Sequence, residues 1–134
     1  MKFRTSTIVR FGQVDGAGIV FYPRYFEMFN TAVEEWFAGP LGCDFATLHD
    51  RRRLGVPTLK IDTHFHRPSR LGDRLDITIE LVKIGTTSVT LRYLVSQGEE
   101  LRVEATGVLV CMNLDSGKST PWPVDLQSGM TAVA

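Results

Sequence analysis

The strongest constraint on the fold is a change in the spacing of the apolar residues along the chain. After Pro23, large apolar side chains recur every three or four residues as far as Phe37, which is the period of one face of an α-helix. From Leu59 onwards, apolar and polar residues alternate, as they do in a strand with two different faces. One long helix followed by a series of strands is therefore predicted.

The helix has clear start and stop signals. Pro23 suits the first turn, where its missing N–H does no harm, and Gly39-Pro40 prevents the helix from continuing. Its apolar face is rich in aromatic rings and comprises Phe26, Phe29, Val33, Trp36 and Phe37, with Tyr25 and Ala32 beside them. Burying each large apolar side chain gains about 1.5–3 kcal/mol, so this face needs a broad apolar surface such as a sheet.

The alternating runs are separated by short turns, which favours antiparallel strands because parallel strands need long crossovers. The predicted strands are Phe3–Arg10, Leu59–His66, Leu75–Leu81, Val89–Val95 and Leu101–Met112. The fold class is α+β, with about five antiparallel strands and one long helix in a single domain, 1–134. The continuously apolar stretch Val108–Met112 is predicted to be buried on both faces. One helix covers only one face of the sheet, so the remaining apolar surface predicts a homo-oligomer.

Composition and charge exclude several classes of protein. Fifteen basic and fifteen acidic residues give a formal net charge of zero, whereas nucleic-acid binders usually carry a basic excess. No apolar run approaches the roughly 18 residues of a membrane span, and the first ten residues alternate instead of forming a signal peptide. We therefore expect a cytoplasmic protein without nucleic-acid or membrane partners.

Asp15 is the candidate for chemistry because of its position. It lies in a loop marked by Gly12, Gly16 and Gly18, just before the aromatic helix. Apolar neighbours would desolvate its carboxylate and make it more basic, while the helix start offers unpaired N–H groups that stabilise an oxyanion. Together these groups would suffice for acyl transfer from a thioester. The alternative is that Asp15 only makes a local turn hydrogen bond.

A longer motif favours the catalytic interpretation. The stretch Val9–Tyr25 reads VRFGQVDGAGIVFYPRY, with the acid followed by Ala-Gly-Ile-Val, an aromatic pair, proline and, two residues on, tyrosine. This stretch resembles the signature of the 4-hydroxybenzoyl-CoA thioesterase family of hotdog proteins. The resemblance continues more loosely through Pro57 and the turn Arg67–Asp73 to the last strand, so it covers most of the chain.

The resemblance implies a hotdog fold, in which an antiparallel sheet wraps around the long helix. It implies a dimer, often paired again into a homotetramer, with active sites between subunits that hydrolyse an acyl-CoA without any cofactor or metal. Asp15 would act as nucleophile or general base, and the backbone N–H of Tyr22 would polarise the thioester carbonyl. The expected substrate contacts are Gly18, Phe21, Tyr25, Asn30, Val56, Thr58 and Ser88.

The chain departs from the family pattern at positions that hold the substrate's phenol. Asn30 replaces an acid, and Val56 replaces a threonine, which favours a less polar acyl group, aromatic or short-to-medium aliphatic. The turn 84–88 lacks the family's basic run for CoA phosphates and offers the Thr86, Thr87 and Ser88 hydroxyls instead. Weaker substitutes for those basic residues are Lys83, Arg70 and Lys118.

Other interpretations stay open at this point. A hotdog protein could bind acyl thioesters without hydrolysing them, or a dehydratase could pair His64 with an acid such as Asp62 or Asp15. His64 and His66 point the same way on a strand and could form a metal pair with Asp62, although no further ligand accompanies them. Cys43 and Cys111 are expected to be reduced structural thiols.

Overall fold

A computed structural model describes residues 2–132, so residues 1, 133 and 134 of the predicted domain lie outside the described residues. The regular elements are β1 (Lys2–Ile8), α1 (Pro23–Ala38), β2 (Leu54–Gly55), β3 (Thr58–Phe65), β4 (Arg74–Ile84), β5 (Ser88–Gln97), β6 (Glu100–Val110), β7 (Met112–Asn113), β8 (Lys118–Ser119) and α2 (Val124–Ala132). A 3₁₀ turn (Phe11–Gln13) and a π-helical turn (Thr47–Arg51) complete the chain.

The five long strands form one antiparallel sheet in the order β1-β4-β5-β6-β3. The predicted α+β layout with about five antiparallel strands is therefore confirmed. A second, smaller sheet contains β2, β7 and β8. A short helical segment follows Asp44, whose carboxylate accepts a hydrogen bond from the Thr47 amide at 2.8 Å.

Helix α1 lies across the sheet, and its aromatic face forms the core. Trp36 and Phe37 are fully buried, and the Phe29 ring stacks on Tyr93 of β5 with the ring centroids 4.6 Å apart. Phe26, which the sequence placed on this face, is only half-buried, while Met28 is buried. Burial on this side also raises the pKa of Tyr93 above its ordinary value.

The opposite face of the sheet is polar, not apolar. Ion pairs run from β1 across β4, β5 and β6 to His66, which directly follows β3. They join Lys2 to Glu80 at 3.4 Å, Arg92 to Glu80 at 3.9 Å, Arg92 to Glu104 at 3.0 Å and His66 to Glu104 at 3.1 Å. This face is therefore not the remaining apolar surface that was expected to need a partner, and the homo-oligomer stays a prediction.

The expectation of burial on both faces for Val108–Met112 is also wrong. Leu109 and Cys111 are buried, but Val108, Val110 and Met112 between them are half-exposed. The alternation continues because only the face towards α1 is covered. The chain leaves the main sheet after Val110 and begins the small sheet at Met112.

The sequence did not predict the C-terminal helix α2. Strand pairing ends before Pro121 and Pro123, and the chain then turns into a helix whose Leu126 and Met130 are fully buried. Trp122 fixes the approach to this helix by donating its indole N–H to the Ser88 carbonyl at 3.0 Å. No helix within residues 2–132 is both long and apolar enough to cross a membrane.

Apolar exposure concentrates on the edge strand β3. Its side chains Leu59, Ile61 and Phe65 are 70%, 36% and 49% exposed. Ile61 and Phe65 point to the same side of the sheet as the core, and Leu59 lies in a bulge between Thr58 and Lys60. These side chains are exposed because β3 is the outermost strand of the sheet, next to β6, whereas α1 packs mainly on β4 and β1.

Candidate active site

The Asp15 loop is a tight hairpin. Val14 and Val20 pair as an antiparallel bridge, the Asp15 amide donates to the Ile19 carbonyl at 2.9 Å, and the Gly18 amide donates to the Asp15 carbonyl at 2.9 Å. Gly18 has a φ of +79°, which a residue with a Cβ adopts only with strain. The glycine is therefore needed for the turn that presents Asp15.

The carboxylate of Asp15 lies on the surface of the single chain. Its Oδ1 accepts a hydrogen bond from the Ala17 amide at 2.8 Å, which is the local turn contact considered as the alternative to catalysis. Asp15 is exposed, so the expectation that neighbours within the chain desolvate it is wrong. The reason is geometric, because the hairpin projects away from the core and space opens in front of Gly16 and Gly18.

The start of α1 offers a free backbone donor. Tyr22 caps the helix with helical backbone angles, and Pro23 follows it without an N–H of its own. The amides on either side are paired, Phe21 with the Gln13 carbonyl at 2.9 Å and Arg24 with the Phe21 carbonyl at 2.8 Å. Within residues 2–132 no acceptor pairs with the Tyr22 amide, so it can donate to a ligand.

A mostly apolar groove of about 330 Å³ lies beside this helix start. Its walls include Ile19, Val20, Tyr22, Tyr25, Phe65 and Pro68. The Phe65 ring packs edge-on against Tyr22, with centroids 6.1 Å apart, and lies 5.9 Å from Tyr25. The Asp15 hairpin borders the groove through Ile19. Such a volume falls in the range of small-molecule sites, and its aromatic walls suit a planar or apolar ligand.

Of the predicted substrate contacts, Gly18, Phe21 and Tyr25 lie at this end of the molecule. Phe21 is 44% exposed and its ring contacts Tyr22 edge-on with centroids 5.5 Å apart, whereas the Tyr25 ring is buried beneath Phe65. These residues and the two predicted catalytic ones form one neighbourhood.

The remaining predicted contacts are not brought to the same place within one chain. Thr58 begins β3, at the opposite end of the strand from Phe65, and seven residues of extended chain span about 23 Å. Val56 and Ser88 lie at that far end too, where Ser88 begins β5. Asn30 is exposed on the side of α1 that faces away from the core.

The weaker phosphate-binding candidates are also separated. Arg70 is exposed next to the Asp15 hairpin, where its backbone forms an isolated bridge with Ile19. Lys83 and Lys118 are exposed near the other end of the sheet.

The histidine pair of β3 is a polar surface feature. The rings of His64 and His66 stack with centroids 6.3 Å apart, and His66 Nε2 lies 3.1 Å from a Glu104 oxygen. Asp62 is 4.0 Å from His64 Nε2. In the described part of the chain no three such groups converge on a point that could hold a metal ion. Arg92 and then His66 hold the pKa of Glu104 below its usual value through hydrogen bonds.

The two cysteines, Cys43 and Cys111, are free and buried. Burial raises the pKa of the Cys111 thiol, which disfavours the reactive thiolate. Both features match the structural role expected from the sequence.

Two features near the site were missed in the sequence. Phe65 was treated only as one member of an alternating strand, and no local signal in the sequence marked its ring as a wall of the groove beside Tyr22 and Tyr25. The second feature is a buried polar network around Arg102 and Ser69, which are 8% and 0% exposed. Its signal was an arginine between two apolar residues of a strand.

Residues 9–130 match the family model of the thioesterase-like superfamily, and the chain belongs to that superfamily. The match spans the Asp15 hairpin, α1 and all the strands after β1. The sequence-based prediction of a hotdog-fold enzyme that hydrolyses thioesters is confirmed.

Similar proteins of known name agree with this family. The 1,4-dihydroxy-2-naphthoyl-CoA hydrolase of Synechococcus elongatus is 24% identical over 133 residues, which cover 98% of this chain and 97% of that protein. The crystal structure of a 1,4-dihydroxy-2-naphthoyl-CoA thioesterase from Synechocystis superposes with a TM-score of 0.88 at 23% identity, covering 97% and 96% of the two chains. A gentisyl-coenzyme A thioesterase superposes with a TM-score of 0.85 at 24% identity, covering 93% and 99%.

Proposed function

We propose that residues 1–134 act as one thioesterase domain, which hydrolyses an aromatic acyl-CoA to the free acid and CoA. The observation that carries the proposal is the free Tyr22 amide beside an aromatic-walled groove, with the Asp15 hairpin at its border. Among the acyl groups considered from the sequence, an aromatic one fits the walls formed by Tyr22, Tyr25 and Phe65 best. The named relatives act on aromatic acyl-CoA esters, which supports the same choice.

In the proposed reaction, the Tyr22 N–H donates to the thioester carbonyl oxygen and stabilises the negative charge that develops there. Asp15 can take a proton from a water molecule whose oxygen attacks the carbonyl carbon. It can also attack the carbon itself, and water then hydrolyses the acyl anhydride. In both routes the carbon–sulfur bond breaks and the CoA thiolate leaves and takes up a proton. No cofactor or metal is required.

The proposal includes a homodimer, because one chain leaves the predicted site divided. Asp15, Tyr22 and Phe65 lie at one end of β3, and Thr58 lies at the other. If two β3 edges pair antiparallel about a twofold axis near the strand centre, Phe65 of one copy faces Thr58 of the partner subunit. This pairing would also cover Leu59 and Ile61 and would withdraw Asp15 from water.

Further assembly into a tetramer and a cytoplasmic location complete the proposal. The free thiols of Cys43 and Cys111 suit a reducing compartment. The polar outer face of the sheet, with its ion pairs, is a poor candidate for a large apolar contact, so a second dimer would pack elsewhere.

The test is thiol release from a panel of aryl- and alkyl-CoA esters, including 1,4-dihydroxy-2-naphthoyl-CoA and gentisyl-CoA. Wild-type protein should cleave the aryl esters with the higher kcat/KM, and Asp15→Asn should lower kcat by at least about 100-fold. Asp50→Asn, an exposed carboxylate away from the hairpin, is the matched control and should keep full activity.

Full activity of Asp15→Asn would remove Asp15 from the mechanism. Tight aryl-CoA binding without thiol release by wild type would favour the non-hydrolytic alternative. Preference for alkyl esters would overturn the aromatic assignment.

A further inference from the structure

A buried arginine on β6 organises the segment that borders the proposed site. Arg102 is only 8% exposed, and its Nη1 lies within 3.1 Å of three acceptors: the Pro68 carbonyl, the Ser69 hydroxyl and the Asp73 carboxylate. Nη2 donates to the side-chain oxygen of Gln97. Neither the resemblance nor the family match assigns any role to this arginine.

The same residue also holds the beginning of the segment through its backbone. The Arg102 carbonyl accepts the amides of His66 at 2.8 Å and Arg67 at 3.1 Å. Further along, Asp73 Oδ2 accepts the Arg70 amide at 2.9 Å in addition to the guanidinium. The start, middle and end of the segment 66–73 are therefore all hydrogen-bonded to one residue of β6, Arg102.

Residues 66–73 also pair with the Asp15 hairpin through backbone contacts. The Ser69 carbonyl accepts the Val20 amide at 2.9 Å, while its hydroxyl accepts from Arg102, so Ser69 links the two directly. Arg70 forms a bridge with Ile19, whose carbonyl accepts the Asp15 amide. Two residues beyond Val20 lies the free Tyr22 amide.

We propose that Arg102 is a positioning residue, which fixes the Asp15 carboxylate and the Tyr22 amide relative to each other through Ser69 and residues 66–73. The inference rests on the proposed function for its catalytic consequence. The anchoring of the hairpin itself does not depend on which reaction the site performs.

The physical reason lies in how a buried guanidinium is satisfied. Burying a charge is costly unless its donors find acceptors, and here Nη1 and Nη2 are hydrogen-bonded while Nε makes no hydrogen bond and lies 2.7 Å from the Glu100 carboxylate as an ion pair. The acceptors of Nη1 are therefore confined to one arrangement. An exposed cation such as Arg92 imposes no such constraint, because water can replace either carboxylate partner. Without Arg102, the Ser69 hydroxyl and the Asp73 carboxylate would lose their buried donor, and residues 66–73 would have to shift to reach water. A displacement of about 1 Å at a reacting centre can lower the rate by about 100-fold.

The experiment compares Arg102→Met and Arg102→Lys with a matched control, Arg52→Met. Arg52 is also partly buried and makes two 2.8 Å hydrogen bonds to Asp125, but these hold α2 and do not touch the hairpin. We expect Arg102→Met to lower kcat for an aryl-CoA ester by about 10- to 100-fold with KM changed by less than about threefold. Arg102→Lys should recover part of kcat. Arg52→Met should lower the melting temperature and leave the kcat of the folded protein unchanged.

A second measurement is independent of activity. Amide hydrogen exchange at Val20, which donates to the Ser69 carbonyl, and at Asp15, which donates to the Ile19 carbonyl, should speed up in Arg102→Met and in the milder Ser69→Ala, and should keep the wild-type rate in Arg52→Met. Unchanged exchange in both Arg102→Met and Ser69→Ala would overturn the inference. So would a wild-type kcat in Arg102→Met. If wild-type protein cleaves no thioester while exchange still responds to Arg102, the proposed function fails and the anchoring role stands.

Discussion

The two edges of the main sheet are built differently. On β1 the outward-facing side chains include Lys2 and Arg4, and the inward-facing Phe3 is half-buried because α1 lies against this strand. On β3 almost every side chain is exposed, including Leu59 and Ile61.

Both edges carry charged side chains on the outer face, Lys2 and Arg4 on β1 and Lys60 and Asp62 on β3. The difference lies on the inner face, where an exposed apolar edge invites pairing with another sheet. We therefore expect β3, and not β1, to pair with a partner, because α1 covers the inner face of β1 and leaves the apolar side chains of β3 exposed. Phe65 lies on the same edge and lines the groove. A change that prevents pairing at β3 should therefore also impair the site.

The largest effect is expected from a charge placed on the β3 edge. Ile61→Glu should leave a folded monomer and lower kcat/KM by at least about 100-fold, because a buried unpaired carboxylate prevents the two edges from meeting and leaves the site incomplete. Sedimentation velocity and thiol release measure the two effects. The matched change on the other edge is Ile8→Glu, at an isoleucine that is 44% exposed on β1 and pairs with Arg74.

Ile8→Glu should keep the wild-type mass and activity. A dimeric, active Ile61→Glu protein would show that the β3 edge is not the interface. A loss of oligomer in Ile8→Glu instead would reverse the assignment of the two edges.

A smaller effect sharpens the claim that each site uses both copies. Asp15→Asn and Thr58→Trp should each be nearly inactive alone, because one removes the carboxylate and the other obstructs the groove from the partner subunit. After mixing and subunit exchange in equal amounts, statistical heterodimers each regain one intact site, which restores about a quarter of wild-type activity. No recovery after proven subunit exchange would mean that both residues act within one chain.

The smallest effect concerns the ion pairs that end at β3. The pKa of Glu104 is lowered in the folded protein by Arg92 and His66, so its contribution to stability is present above its ordinary pKa of 4.5 and is lost as the pH falls through the folded value. Glu104→Gln should therefore lower Tm at pH 7 by at most about 3 °C and make no difference near pH 3. Thermal unfolding followed by circular dichroism at both pH values measures this difference.

The exposed Glu99→Gln in the β5–β6 turn is the control and should match wild type at both pH values. An equal destabilisation by Glu104→Gln at both pH values would assign the effect to packing and not to charge.

The long helix and the strands could be predicted because each has a sequence pattern that involves only neighbouring residues. Pro23 and Gly39 mark the ends of α1, and the spacing of three and four between the aromatic residues fits a helix and not a strand. The alternation in β4 and β5 likewise fixes which residues face the core. The Asp15 hairpin could be located because Gly18 needs a positive φ and because the surrounding motif is long.

Other features depend on contacts that local patterns do not contain. Helix α2 has only two buried side chains, Leu126 and Met130, and becomes a helix because both find space against the sheet. Val108 and Val110 look like core residues in the sequence, but both stay half-exposed because they lie on the face of β6 that points away from α1. In the sequence Arg102 resembles an exposed strand arginine, whereas in the structure residues 66–73 cover it.

By itself, the sequence determined the α+β class, the helix with its aromatic face, and the glycine-dependent hairpin with its acidic residue, since backbone propensity and periodicity act over a few residues. Only the tertiary structure decided which charged side chains pair across the polar face of the sheet, that Asp15 is exposed in one chain, and that Thr58 and Ser88 lie far from Asp15. These are consequences of strand order and register, which bring together or separate residues that are far apart in the chain.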